Sequence, residues 1–313
     1  MPKFKERPVE KNIAALNYVS GGNVGLSLPR DRWVQKVALR FAVVVGTAAT
    51  TPHENGIINL IKNIRLTTDT DVLYDCSGWD VLQYNKDMHG VSAVVNDSPS
   101  GAATYYAEIV LELMNNPADN QDISAMVYAK GKSSFDLSIL WGTPSDLGAS
   151  GSPAITSGSV TVSLRECDLT PEEIARQGVF STVKHGVKQQ VYTATTSEFI
   201  ESLNLPVSRI LHYIGIQTVR TSTGLRSNDV ISNYLLKQAA PEDEIVKSSW
   251  YDSIAADKRD YHLETTTTGR TAIDLRSDFG GYDARGMKDG DIKLHFNIPT
   301  NVGTVRLFIQ EVY

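Results

Sequence analysis

Closely spaced histidines, cysteine clusters and long apolar runs are all missing from this chain of 313 residues, and each absence removes a class of function. The six histidines (His53, His89, His185, His212, His262 and His295) include no pair at i, i+2 or i, i+4. Those spacings put two imidazoles on one metal from a strand or a helix, so a cupin-type metal centre is not indicated. The two cysteines, Cys76 and Cys167, are far apart and read as small buried hydrophobes, since a disulfide framework or a zinc site needs more ligands at closer spacing. There is no Gly-x-Ser-x-Gly elbow and no Gly-x-x-x-x-Gly-Lys loop. Gly21-Gly22-Asn23-Val24-Gly25 precedes a strand rather than a helix, lacks the dipole that binds phosphate, and reads as a flexible joint. No apolar run approaches the roughly 20 residues that span a bilayer, and the N-terminus is too polar for a secretory signal. A net charge of −6 argues against a protein that wraps nucleic acid.

What is present is the composition of a folded protein, with 41% hydrophobic and 21% charged residues in a length that suits two domains. The pattern is one of strands. In Lys288–Tyr313, Ile292, Leu294, Phe296 and Ile298 alternate with polar residues, and a second strand, Thr304–Val312, follows Pro299-Thr300-Asn301-Val302-Gly303. The two read as a terminal pair that ends inside a sheet. Ser134–Cys167 repeats this order, with FDLSILWGTP, a Gly/Ser-rich insertion and SGSVTVSLREC.

The repeat extends upstream. In the first half Trp33–Val45, Ile57–Leu66, Val72–Tyr74 and Thr104–Met114 read as strands, with a short helix over Ser77–His89 capped by Ser77 and closed by Gly90. In the second half Val187–Thr195, Val207–Val219, Tyr261–Thr265 and Thr271–Leu275 read as strands. Val207–Val219 is matched there to Ile57–Leu66, and a helix capped by Ser227 and running to Gln238 takes the place of Ser77–His89. The expected division is an N-terminal arm over 1–20, a first jelly roll over 21–168, a linker helix over 169–178 and a second jelly roll over 179–313. Thr170, Pro171, Glu172 and Glu173 start the linker helix and Gly178 ends it. The fold class is all-β, two tandem jelly-roll barrels, each with a short inserted helix.

Two groups of residues are candidates for contact with something outside the chain. Lys3, Lys5, Arg7 and Lys11 outnumber Glu6 and Glu10 by two charges. That excess is worth about 2 kcal/mol at an anionic surface, useful only when many copies act together. The arm is therefore a candidate membrane or neighbour contact, and a disordered or neighbour-contacting tail is its plain alternative. Asp69, Asp71 and Asp75 are candidate metal ligands, with Ca²⁺ the ion that suits them, although the twelve-residue calcium loop is absent. Glu242-Asp243-Glu244 and the trio Asp278, Asp283 and Asp289 carry the same pair of readings, ion site or solvated acidic loop. No catalytic residue and no cofactor is expected.

Taken as a layout, NVGLSLPRDRWVQKVALRF, IKNIRLTTDTDVLYDCSGWDVLQYN and LPVSRILHYIGIQTVRTSTGLRSNDVISNYLL resemble the double jelly-roll major capsid proteins of icosahedral bacteriophages with an internal membrane, the corticovirus-like coat proteins in particular. The resemblance implies a non-enzymatic structural protein, made in the host cytoplasm and located in the virion. It implies a homotrimer that tiles a shell with neighbouring capsomers, penton or minor capsid proteins as further partners, and the inner membrane reached through the arm. Loops such as Asn96–Ala103 and Thr143–Gly158 would be towers or neighbour contacts. Sequence-specific nucleic-acid binding is not implied.

Two other readings stand beside it. A carbohydrate-binding tandem β-sandwich, as in a phage spike or adhesin, would stack sugars on Trp33, Trp79, Trp141 or Trp250. A sandwich enzyme would need convergent carboxylates or a histidine metal site.

Overall fold

The computed structural model describes residues 9–53, 55–69, 71–90, 99–115, 123–177, 180–194, 198–239, 241–263, 265–276 and 280–313. The chain divides into two compact units, Met1–Lys184 and His185–Tyr313. Eight principal strands belong to each, so that strand n of the first unit has strand n+8 as its counterpart.

In the first unit the strands are β1 (Val9–Asn17), β2 (Asn23–Ser27), β3 (Trp33–Thr47), β4 (Ile61–Thr68), β5 (Asp71–Cys76), β6 (Ala103–Glu112), β7 (Phe135–Trp141) and β8 (Ala154–Cys167). They form two antiparallel sheets in the orders β1-β8-β3-β6 and β2-β7-β4-β5. A single helical turn, α1 (Gly56–Asn59), precedes β4, and α2 (Gly78–His89) joins β5 to β6. Alternation decides which side chains go inside. On β3, Val37, Leu39, Phe41, Val43 and Val45 are buried, while Lys36 and Arg40 point to the other face. Ile64, Leu66, Leu137 and Ile139 supply the core from the second sheet. Trp141 sits edge-on to both Phe41 and Tyr18, with ring centroids 5.7 and 5.2 Å away.

The second unit contains β9 (Val183–Tyr192), β10 (Glu201–Asn204), β11 (Ile210–Arg220), β12 (Asn233–Gln238), β13 (Asp243–Ser249), β14 (Arg270–Asp274), β15 (Ile292–Asn297) and β16 (Gly303–Val312). Its sheets run β9-β16-β11-β14 and β10-β15-β12-β13, the first unit's orders with eight added to every label. Near the end of the first unit lies α3 (Pro171–Gln177), and in the second α4 (Trp250–Asp260) joins β13 to β14. Leu211, Ile214, Ile216, Leu294, Phe296, Val305, Leu307 and Ile309 meet in one core. In each unit the eighth strand lies between the first and the third, and the second pairs with the seventh. That is the strand order of a jelly roll.

Several expectations change. The two closing strands of each unit are not a pair. β15 lies in one sheet and β16 in the other, so the proline turn carries the chain across the core. The helix expected from Ser227 to Gln238 is absent. Ser227 Oγ accepts from the backbone of Asp229, two residues on, which makes a turn rather than a helix start. Asn233–Gln238 is then held as a strand between β15 and β13, with Tyr234 and Leu236 in the core. The short apolar run Tyr234-Leu235-Leu236 suits either period, and tertiary pairing decides. The inserted helix of this unit is α4. Likewise β11 is the counterpart of β3, not of the Ile57–Leu66 stretch, and no strand forms over Tyr261–Leu263. Val9–Asn17, expected within an extended arm, is strand β1, because its backbone completes the ladder of β8. Within Thr143–Gly158, expected as an exposed loop, Leu147 is buried and Gly148–Ser150 pairs with Thr51–Pro52.

Candidate functional site

The helix between the fifth and sixth strands is built the same way in both units. Ser77 caps α2, its Oγ accepting from Asp80 N at 3.3 Å while the Asp80 carboxylate accepts from Ser77 N at 2.9 Å. Gly90, at φ 73°, ends it in the left-handed conformation that a side chain would oppose. Ser249 caps α4 through Asp252 N at 3.2 Å. Eight residues after each capping serine stands a side chain that binds the sixth strand of its unit. Asn85 Nδ2 donates to Val110 O at 2.9 Å and its Oδ1 accepts from Val110 N at 2.7 Å. Asp257 Oδ2 accepts from Ala272 N at 3.2 Å. Tyr74 adds a second clamp on β6, its hydroxyl accepting from Glu112 N at 2.8 Å and donating to Glu112 O at 3.0 Å. Burial pushes the Tyr74 phenol well above its ordinary range and keeps it a neutral donor. These bonds occupy backbone groups on the outer edge of β6 and β14 that would otherwise face solvent or another strand.

On the outer face of the first sheet a charge ladder fixes β1. Arg40 on β3 reaches Glu108 on β6 at 2.6 Å and also pairs with Glu10 on β1. These two carboxylates raise the guanidinium pKa. Ser163 Oγ on β8 donates to Asn12 Oδ1 at 2.6 Å. The buried Glu112 carboxylate lies 3.1 Å from Lys36 Nζ and 3.0 Å from His89 Nε2.

The acidic candidates are not brought together. Asp69 accepts from Ser133 Oγ at 2.7 Å and Ser134 N at 2.6 Å, and these bonds lower its pKa. Asp71 pairs with Lys184 at 2.7 Å, and Asp75 accepts from Asn63 at 2.8 Å. Asp69 and Asp71 line an open cleft of about 370 Å³ together with Arg65, Thr67, Asp136 and Ser138, Asp75 is not part of its lining, and each acid is spent on its own partner. Glu242 pairs with Lys237, and Arg285 holds the Asp283 carboxyl down at about 2. Among the described residues no three His, Cys, Asp or Glu side chains are grouped to hold an ion. Asp278, Lys3, Lys5 and Arg7 lie outside the described residues, and Lys11 is exposed on β1.

Both cysteines are buried thiols outside any disulfide, and desolvation pushes the Cys167 thiol up to about 12, which removes its nucleophilic form at neutral pH. Trp33, Trp79, Trp141 and Trp250 are all buried, so none offers an exposed face to a sugar. Sequence reasoning passed over Asp257 and α4. The spacing of Ser77, Asp80 and Asn85, repeated by Ser249, Asp252 and Asp257, was the signal that would have found them.

No family model and no curated protein matches the sequence. Solved structures do. The chain superposes on the STIV MCP with a TM-score of 0.81 at 16% identity, covering 98% of this chain and 97% of that one. The fold is the double jelly roll. The same double jelly roll relates the chain to the major capsid protein P2 of bacteriophage PM2 (TM-score 0.59, 12% identity, 97% of each chain). It relates it also to the PBCV-1 virus capsid (TM-score 0.61, 9% identity, 100% of this chain and 95% of that one).

Proposed function

We propose that this protein is a major capsid protein of an icosahedral virus with an internal membrane, a structural component of the virion with no enzymatic role. The observation that carries the reading is the likeness over essentially the whole chain, both jelly rolls and the link between them, to proteins named as viral coat subunits. A sugar-binding or catalytic double sandwich would need exposed aromatic faces or convergent acids. The buried tryptophans and separately partnered aspartates speak against both.

The working unit is a homotrimer whose six barrels form a near-hexagonal tile, contacting neighbouring capsomers and penton or minor capsid proteins. The domain scheme is an N-terminal arm, two jelly rolls and a linker containing α3, and Lys3, Lys5, Arg7 and Lys11 are the residues offered to the membrane or a neighbour. For the narrower placement, the sequence resemblance and the likeness to P2 of PM2 support a corticovirus-like phage coat, whereas the higher TM-score favours a coat of the STIV type.

Native mass measurement and electron microscopy of the purified protein test the reading. Trimers that tile or close into shells are expected, and a strict monomer at high concentration would refute it. Removing residues 2–8 is expected to weaken vesicle association and leave the trimer intact.

A further inference from the structure

The sheet edges of this protein are treated unequally. The outer edges of β6 and β14 are occupied by side chains of α2 and α4. β2 and β10 end their sheets too, but with only five and four residues. β1 and β13 are sheet ends of nine and seven residues, and the first residues of each are exposed. A strand of that length with unpaired backbone is a template for another chain unless its natural partner covers it.

Charge at the two edges is complementary. Lys11 on β1 makes no ion pair among the described residues, and neither do Asp243 and Glu244, the first two residues of β13.

We propose that the β1 edge of one copy pairs with the β13 edge of a second copy, with Lys11 set against Asp243 and Glu244. The inference rests on the self-assembling reading above and adds which surfaces meet. Each copy carries one edge of each kind, so the contact is head-to-tail and closes a ring when the rotation per copy allows.

Charge exchange tests it. Sedimentation of the full chain is compared for wild type, Lys11→Glu, the double variant Asp243→Lys/Glu244→Lys, and all three changes together. Each separate charge variant is expected to weaken association about three- to tenfold. The combined chain is expected to recover the wild-type value. As a second readout, Lys11→Cys and Glu244→Cys chains are mixed under oxidation. A disulfide joining the two kinds of chain is expected, and the buried Cys76 and Cys167 stay out of the reaction. A wild type that associates while both charge variants match it and no mixed disulfide forms overturns the edge pairing and leaves the capsid reading standing. Weakening without recovery in the combined chain overturns the assignment of Lys11 to the acids. A wild type that never associates overturns both.

Discussion

Asn85 on α2 and Val110 on β6 bond to each other twice, the carboxamide donating to the strand carbonyl at 2.9 Å and accepting from the strand amide at 2.7 Å. The carboxamide donates through its nitrogen and accepts through its oxygen, and Asn85 is buried. Asn85→Asp would keep the amide bond and set a carboxylate against the Val110 carbonyl. A loss of about 2–3 kcal/mol is expected in urea denaturation, larger than for most surface changes. Asp257→Asn, at the matching place in α4, keeps an acceptor for Ala272 N and is expected to cost less than Asn85→Asp. Equal effects at the two sites would refute this account of the edges.

Trp250 opens α4, is fully buried, and its indole donates to Asn228 Oδ1 at 3.2 Å. Asn228 Oδ1 also accepts from Gly269 N at 2.7 Å, so the residue ties the helix start to two loops. Trp250→Phe keeps most of the apolar volume and removes the donor. A loss of about 1–2 kcal/mol is expected, and Trp250→Ala about 3–5 kcal/mol. A negligible effect of the alanine change on thermal unfolding would move Trp250 out of the core.

Desolvation lowers the pKa of His295 on β15, with Lys293 and Lys237 adding to the effect and the bond to Phe199 O opposing it. The folded pKa lies below the unfolded value near 6.5, so the unfolded chain takes the proton first. The contribution of His295 to stability is therefore complete above about pH 6.5 and is lost as the pH falls below it. Chemical denaturation at pH 7.5 and pH 5.5 is expected to show a smaller loss on acidification for His295→Asn than for wild type. An unchanged or larger loss would reverse the assigned direction.

Asp69, Asp71 and Asp75 each hold a different partner, so Ca²⁺ has no shared cage to fill. Thermal unfolding with millimolar Ca²⁺ is expected to match that with chelator, within about 1 °C, whereas ligand binding at a hundred times its Kd would add about 2.7 kcal/mol. A clear Ca²⁺-dependent rise would place a site among these residues.

How much of this was legible in the sequence depended on the range of the interaction. α2 could be read because its cap, its apolar spacing and its closing Gly90 are all local. α4 was hidden because only Trp250, Ser253 and Asp257 on it are buried, which leaves no apolar stripe to count. The apolar run at Val230–Leu236 imitated a helix and drew the assignment away. Alternation told which face of β15 and β16 is buried, but it carries no record of which sheet a strand joins. For the same reason the clamps of Asn85 and Tyr74 on β6, set by contacts 25 and 38 residues apart, left no pattern to see.

The eighth strand of the first unit lies between β1 and β3, and Val9 at the start of β1 pairs with Glu166 near the end of β8. A ribosome adding about 5–20 residues per second needs on the order of 8–30 s to travel from one to the other. For most of that interval β1 and β3 have been made without the strand that fits between them. The chain must therefore survive a waiting period on each synthesis, during which unfinished copies, and not finished ones, expose the unpaired strand edges that misassemble.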